Sequence, residues 1–282
     1  MVNCNRRVPI RKFKRTFEDK KQARLPFQFY FLSACPSEMP HSFASRIAYE
    51  IIAAEELELD KSVHYEYEGN DFSEKDKLRR IKVQPLPFVD ADVAASRKKF
   101  KEYVQARFKL LNTQSVDAFI EAGTPKIAYS HTLTVFRITE VKWEGDEGEV
   151  LAYLQWIVDT FQKAHPDLPM FIFLFVVDIK HLHDETKVKA SQQKIVSDLE
   201  AFCKKNETAI FRELKPVKHL DIEAWLSDLG VGNPNDARPL LQALNHGLAQ
   251  DDRLMEDDEP RFHMKDVEPI QEKVVRYFRN KK

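Results

Sequence analysis

The stretch FQFYFLSACPSEMPHSFASRIAYEI, Phe27 to Ile51, decides how this chain folds. Phe27–Leu32 is rich in aromatic residues and lies between Pro26 and Pro36, the composition of a buried strand. After a short loop, Phe43, Ile47 and Ile51 recur with helical period, Leu57 lies further along a similar face, and Ser42 stands where a cap belongs. Strand, loop and helix in this order is the layout of a phosphate-binding loop. Such a loop converges backbone N–H groups on phosphate oxygens, adds a lysine, and ligates magnesium through a Ser or Thr hydroxyl. Aligned on G-x-x-x-x-G-K-[ST], the segment CPSEMPHS puts Cys35 and Pro40 at the glycines, His41 at the lysine and Ser42 at the hydroxyl. Only Ser42 fits. Pro40 has no N–H and a fixed φ, His41 is shorter than lysine and mostly neutral at pH 7, and no glycine precedes Gly69. This loop is not expected to cradle phosphate.

The rest of the chain alternates strands and helices. Strand patterns fall at Val63–Tyr67, at Ile81–Val89 with Pro85 and Pro87 inside it, at His131–Thr139, at Met170–Ile179 and at Phe211–Leu214. Helical stripes are carried by Val93, Phe100, Val104, Phe108 and Leu111, by Val150, Leu151, Leu154, Val158 and Phe161, and by Val188, Ile195, Leu199 and Phe202. Asp221 is placed to cap a helix bearing Ile222, Trp225 and Leu226. MFIFLFVVDI is almost continuously apolar, as a central strand covered on both faces should be. Alternation of this kind predicts an α/β fold with a largely parallel sheet flanked by helices. After Gly230 the pattern changes to two helices, the last with Val267, Ile270, Val274 and Phe278 on one face. The expected organisation is a basic arm over residues 1–24, an α/β domain over 25–230 and a small helical subdomain over 231–282.

Composition narrows the function. The 282 residues carry 44 basic and 45 acidic side chains, so net charge argues against nucleic acid or an anionic membrane as partner. The charge is unevenly spread: residues 6–24 hold nine basic and two acidic side chains, and 251–259 six acidic and one basic. Runs of this kind are most simply solvated. Cys4, Cys35 and Cys203 lie far apart in no metal-ligand spacing, which points to reduced thiols and a cytoplasmic protein. The longest apolar run, Pro169–Ile179, is too short to span a bilayer.

The metal side of the phosphate-loop pattern is also incomplete. The strand that would carry the acidic pair ends in Thr139-Glu140, with one carboxylate. At this point the chain resembles the inactive STAND family, degenerate relatives of signal-transducing ATPases in bacterial conflict systems. The resemblance runs through Asn3-Cys4-Asn5-Arg6 and Phe13–Phe17, then Phe27–Arg46 with Phe43 and Arg46 behind the degraded loop. Trp143–Phe161, the apolar strand to Asp178, Leu214–Leu226 and Val267–Val275 continue it in order. It implies a P-loop NTPase-like fold without hydrolysis and without a cofactor, acting as scaffold, sensor or adaptor toward a protein partner. With about two dozen residues before the first strand, the expectation is a standalone subunit whose effector or adaptor is encoded nearby.

Sharper chemistry competes with this. A nucleotide binder without hydrolysis would use the same crevice. Glu140-Val-Lys142 matches half of a nuclease E-x-K motif, with Asp117 as a conceivable second magnesium ligand. His181, His183 and Asp184 have metal-like spacing but no third element, and Cys35 with His41 lacks an orienting group. Trp143, Trp156, Trp225 and most of the 20 phenylalanines are expected in the core.

Overall fold

The computed structural model describes residues 7–40, 42–44, 47, 63–64, 67–68, 80–81, 83–87, 92–107, 115–122, 131–145, 147–165, 168, 170–182, 187–211, 214, 216–218, 221–222, 225, 254–256, 259–269 and 271. Helix α1 (Arg7–Gln22) leads into β1 (Phe27–Ala34), a 3-10 turn (Pro36–Glu38) and a helix starting at residue 40. Four short strands follow: β2 (Val63–His64), β3 (Tyr67–Glu68), β4 (Arg80–Ile81) and β5 (Val83–Pro85). Next come α2 (Val93–Arg107), α3 (Val116–Ala122), β6 (His131–Thr139), α4 (Glu140–Gly145) and α5 (Glu147–Phe161). The chain continues through β7 (Met170–Asp178), α6 (Ala190–Lys205), β8 (Ala209–Phe211), β9 (Val217–Lys218), β10 (Leu254–Glu256) and β11 (Glu259–Phe262).

The main sheet has the order β2-β6-β7-β1-β8, with β5 also beside β6, and every pairing is parallel. This order dictates where the helices go. From β1 the chain steps to the far edge, where β2 and β5 both lie beside β6, and the later steps to β6, β7 and β8 move back across the sheet. Right-handed crossovers then put the first connection on one face and all later ones on the other. The apolar clusters divide in this way. Phe27, Phe29, Phe31, Phe171, Phe173, Phe175 and Val177 meet α2, α3, α5 and α6 through Phe100, Phe119, Leu154, Phe161 and Leu199. On the opposite face Tyr30, Leu32, Ala34, Ile172, Leu174 and Val176 are covered by α1 and by Phe43, Ala44 and Ile47.

Side-chain period 2 with both faces buried explains why β7 is apolar along its length. Registry between β1 and β7 stacks Phe27 on Phe171 at 4.6 Å and Phe31 on Phe175 at 4.9 Å. Phe136 of β6 extends the stack to Phe175 at 5.4 Å. Such pairs add about 0.5–1.5 kcal/mol each beyond their burial. Trp143 and Trp225 are buried, and Trp156 packs half-buried against the larger core under Arg97.

Several expectations are corrected. The basic segment is not a solvated arm: residues 7–22 form α1, with Ile10, Phe13 and Phe17 buried on the sheet and the Phe13 ring 5.0 Å from Tyr30. Burying three such side chains gains about 1.5–3 kcal/mol each, and Arg11, Lys14 and Arg15 still reach water from the outer face. The strand expected at Phe211–Leu214 is β8, two residues earlier, and Val63–Tyr67 and Ile81–Val89 each divide between the main sheet and a separate β3–β4 pair. Residues 88–90, Phe108 and Leu111 lie outside the described residues.

The C-terminal part is not purely helical. An antiparallel sheet of order β10-β11-β9 joins a helix at residues 264–269 and 271. Phe262 pairs with Val217, so this unit recruits residues well before 230. Its own small core holds Val217, Ile222, Phe262, Met264 and Val267, with Met39 packed against it.

Candidate functional site

Ala34, Asp178 and Thr139 are register partners, so β1, β7 and β6 end level with one another. Ile179 N–H donates to the Ala34 carbonyl over 3.0 Å, continuing the pairing one step past the strands. Beyond it the chain turns to opposite faces, because β1 and β7 feed helices on different sides of the sheet. Open α/β sheets bind ligands in the crevice at such a switch. Residues 35–40, with the 3-10 turn Pro36–Glu38, leave β1 at this end of the sheet.

That loop directs its amides inward. Glu38 N–H donates to the Cys35 carbonyl at 2.9 Å and Met39 N–H to the Pro36 carbonyl at 3.2 Å. Ser42 and Phe43 N–H both donate to the Met39 carbonyl, at 3.0 and 3.3 Å. Pro36 and Pro40 have no N–H at all. Met39 adopts φ 50° and ψ 60°, a left-handed conformation costly for a residue with a Cβ. Strain of this kind persists only where surrounding contacts fix it. Here the fixing contact is the C-terminal core against the Met39 side chain.

Two polar bonds, one buried and one partly buried, tie the loop to the same C-terminal unit. Glu38 has a fully buried side chain, and His263 Nδ1 sits 2.7 Å from its Oε1. A carboxylate only accepts, so the imidazole donates. The buried Ser42 hydroxyl donates to Glu268 Oε1 at 2.7 Å. Ser42 therefore does not cap its helix; the Met39 carbonyl opens it, and the hydroxyl points to another part of the chain. Gln271, one turn beyond Glu268, is also fully buried, and neither its Oε1 nor its Nε2 has a hydrogen-bond partner. Cys35 is buried with its sulfur 3.1 Å from the Ser37 hydroxyl, and Pro40 is buried as well; His41 lies outside the described residues.

At the neighbouring strand ends the acidic residues are occupied. Glu140 opens α4, and its Oε2 accepts from Lys180 N–H at 2.9 Å and Gln192 Nε2 at 2.8 Å. It thus clamps the end of β6 to the loop after β7 and to α6. Thr139 beside it is half-buried. Arg137 Nε donates to Asp178 Oδ2, with the carboxylate buried and the guanidinium half in water. Burial raises the Asp178 pKa; Arg137 opposes that shift and the nearby Glu140 adds to it.

Of the competing constellations, the Asp117, Glu140 and Lys142 set is not brought together. Asp117 lies on α3, where Phe119 packs on Phe171 near the start of β7, and Lys101 holds its carboxylate at 2.6–2.8 Å. Glu140 stands beside the other end of that strand, seven residues or about 23 Å away. Glu140 and Lys142 are also on a helix rather than a strand. His181 is exposed in a left-handed turn, and His183 and Asp184 lie outside the described residues. Among the described residues no group of three or more potential ligands could hold a metal, and no helix is long and apolar enough to cross a membrane. Cys35 and Cys203 are free thiols. A cavity of about 270 Å³ lies elsewhere, lined by Trp143, Glu147, Ser191, Lys194, Ile195 and Asp198 around the starts of α5 and α6.

Comparison with protein-family models returns no match, and comparison with curated proteins returns none either. The site therefore stands on its geometry. The residues that sequence patterns missed are Glu38, His263, Glu268 and Gln271. A charged residue between two prolines reads as solvated loop, and the polar face of the last helix reads as surface. One signal was present: Glu268 and Gln271, three apart, share a helical face immediately beside the apolar stripe of Val267 and Ile270.

Proposed function

We propose that this chain is a non-catalytic module with a degenerate P-loop-like domain, resembling inactive STAND proteins and working through protein–protein contact in bacterial defence or signalling. Its all-parallel sheet flanked by helices is compatible with that fold. The observation that carries the reading is the buried Glu38 carboxylate. It sits in the turn where a nucleotide's phosphates would have to lie, and it would repel them. Around it four amides donate to carbonyls within the loop, so few donors remain to aim at an anion. Ser42, the one residue matching the motif, donates to Glu268 rather than being held open for a metal. Without hydrolysis, any change of state must come from a partner that binds two conformations unequally.

The test is a melt of the purified chain over a range of magnesium-ATP and ADP, with a parallel hydrolysis assay. Ligand binding to the folded state stabilises it by RT ln(1 + [L]/Kd), so a binder shows a melting temperature that climbs with ligand. No shift and no hydrolysis are expected. Magnesium-dependent turnover lost on Ser42→Ala or Glu140→Ala would overturn the reading. A pull-down from the native host, with neighbouring gene products tested first, identifies the partner.

A further inference from the structure

We infer that the cavity where α4, α5 and α6 meet binds a free amino acid, a small molecule with an ammonium and a carboxylate side by side. This site shares no lining residue with the strand-end loop, and its occupancy is independent of the protein contact proposed above.

Four of the lining residues, Ser191, Lys194, Ile195 and Asp198, recur three and four apart along one face of α6. Trp143 of α4 and Glu147, the first residue of α5, complete the lining. Trp143 and Ile195 are 1% and 2% exposed and form an apolar floor, whereas Ser191, Lys194 and Glu147 reach water at the rim. The volume of about 270 Å³ falls just short of the ~300 Å³ at which pockets begin to hold drug-sized ligands, so the occupant is small.

Two polar atoms of this lining are buried and unpaired, and they are of opposite kind. Trp143 Nε1 can only donate, and no acceptor reaches it. Asp198 Oδ2 can only accept, and it has no hydrogen bond; the Lys194 ammonium stands off at 3.5 Å while bonded to Glu147 Oε2. Buried polar atoms are ordinarily satisfied, and leaving them open destabilises the folded state. Charge points the same way. Glu147 and Asp198 share a single lysine in this lining, so a negative charge is left over. Lys194 is committed to Glu147, whose carboxyl it holds below the usual carboxylate range. A ligand ammonium completes Asp198 and balances that charge. A carboxylate on the same molecule accepts from the indole N–H, near the positive ends of α5 and α6. A simple amine would satisfy Asp198 alone, and a simple acid Trp143 alone. The carbon side chain rests on Ile195 and the Trp143 ring.

The experiment uses the full chain labelled with nitrogen-15 at its three tryptophans, whose indole N–H signals report separately. Trp143→Phe assigns the Trp143 signal by its loss. Glycine, alanine, valine, leucine and phenylalanine are added in turn, up to about 10 mM. At least one is expected to move the Trp143 signal saturably while the signals of Trp156 and Trp225 stay in place. The amine and the acid made by deleting one group from that amino acid are each expected to bind about tenfold or more weakly. By calorimetry, Asp198→Asn is expected to weaken binding about tenfold or more, and Trp143→Phe about two- to tenfold. Asp198 is partly exposed on a helix flank, so its variant keeps the test intact even where Trp143→Phe unfolds. No saturable shift from any of the five amino acids, or an affinity that Asp198→Asn leaves unchanged, would overturn the inference.

Discussion

Ser42→Ala separates a structural serine from a relic of metal ligation. The hydroxyl donates to Glu268 Oε1 over 2.7 Å, and both residues are 4% exposed, so water cannot replace the lost donor. A hydrogen bond to a charged group contributes about 1.5–3 kcal/mol net. Alanine recovers up to about 0.5 kcal/mol through better helix propensity, since residue 42 lies within a helix. The expected loss is therefore about 1–3 kcal/mol. Urea unfolding followed by circular dichroism measures it, with the slope m unchanged if only stability has moved. Combined with Glu268→Ala in a double-mutant cycle, the coupling energy should fall within about 0.5–3 kcal/mol. A variant as stable as wild type, or a coupling near zero, would show that the loop and the C-terminal helix are not joined here.

Four further outcomes follow from individual contacts. Phe175→Ala removes a fully buried ring stacked between Phe31 and Phe136, and should cost about 3–5 kcal/mol in the same unfolding assay. Glu140→Ala strands the Lys180 N–H and Gln192 donors and should cost about 1.5–3 kcal/mol, with faster hydrogen exchange at Lys180. Burial lowers the Lys20 pKa from 10.5 to about 8, so the folded state disfavours its charge. Relative to Lys20→Met, wild type should gain stability as pH rises from 8 to 10.5 and show a constant difference below that window. Asp178 is shifted the other way, upward, so its contribution is present at low pH and lost as pH rises through its folded pKa. The stability of Asp178→Asn relative to wild type should therefore increase with pH across the carboxylate range and then level off.

The parts of the fold that could be read from sequence are those where one physical rule acts alone. A strand buried on both faces has to be apolar throughout, so β1 and β7 announce themselves in FQFYFL and MFIFLFVVD. Helices α5 and α6 show a stripe because one side packs on the sheet. Helix α1 was obscured because two signals overlap: Ile10, Phe13 and Phe17 are spaced for a helix, yet nine basic side chains around them suggest a solvated run. The C-terminal strands were hidden for a related reason, since LME and EPRF are short and charged, and EPRF pairs with a partner in β9 that no local pattern indicates. At the site, the unsuitability of Cys35 and Pro40 for an anion cradle follows directly from residue chemistry. The burial of Glu38 does not, because it depends on His263, 225 residues away.

A crystal structure from crystals grown in millimolar magnesium-ATP tests the central claim most directly. The account predicts an unchanged loop, with Glu38 bonded to His263 and Ser42 to Glu268 and no ordered triphosphate at the strand ends. Density for a triphosphate wrapped by residues 35–42, with His263 and Glu268 moved aside, would contradict it.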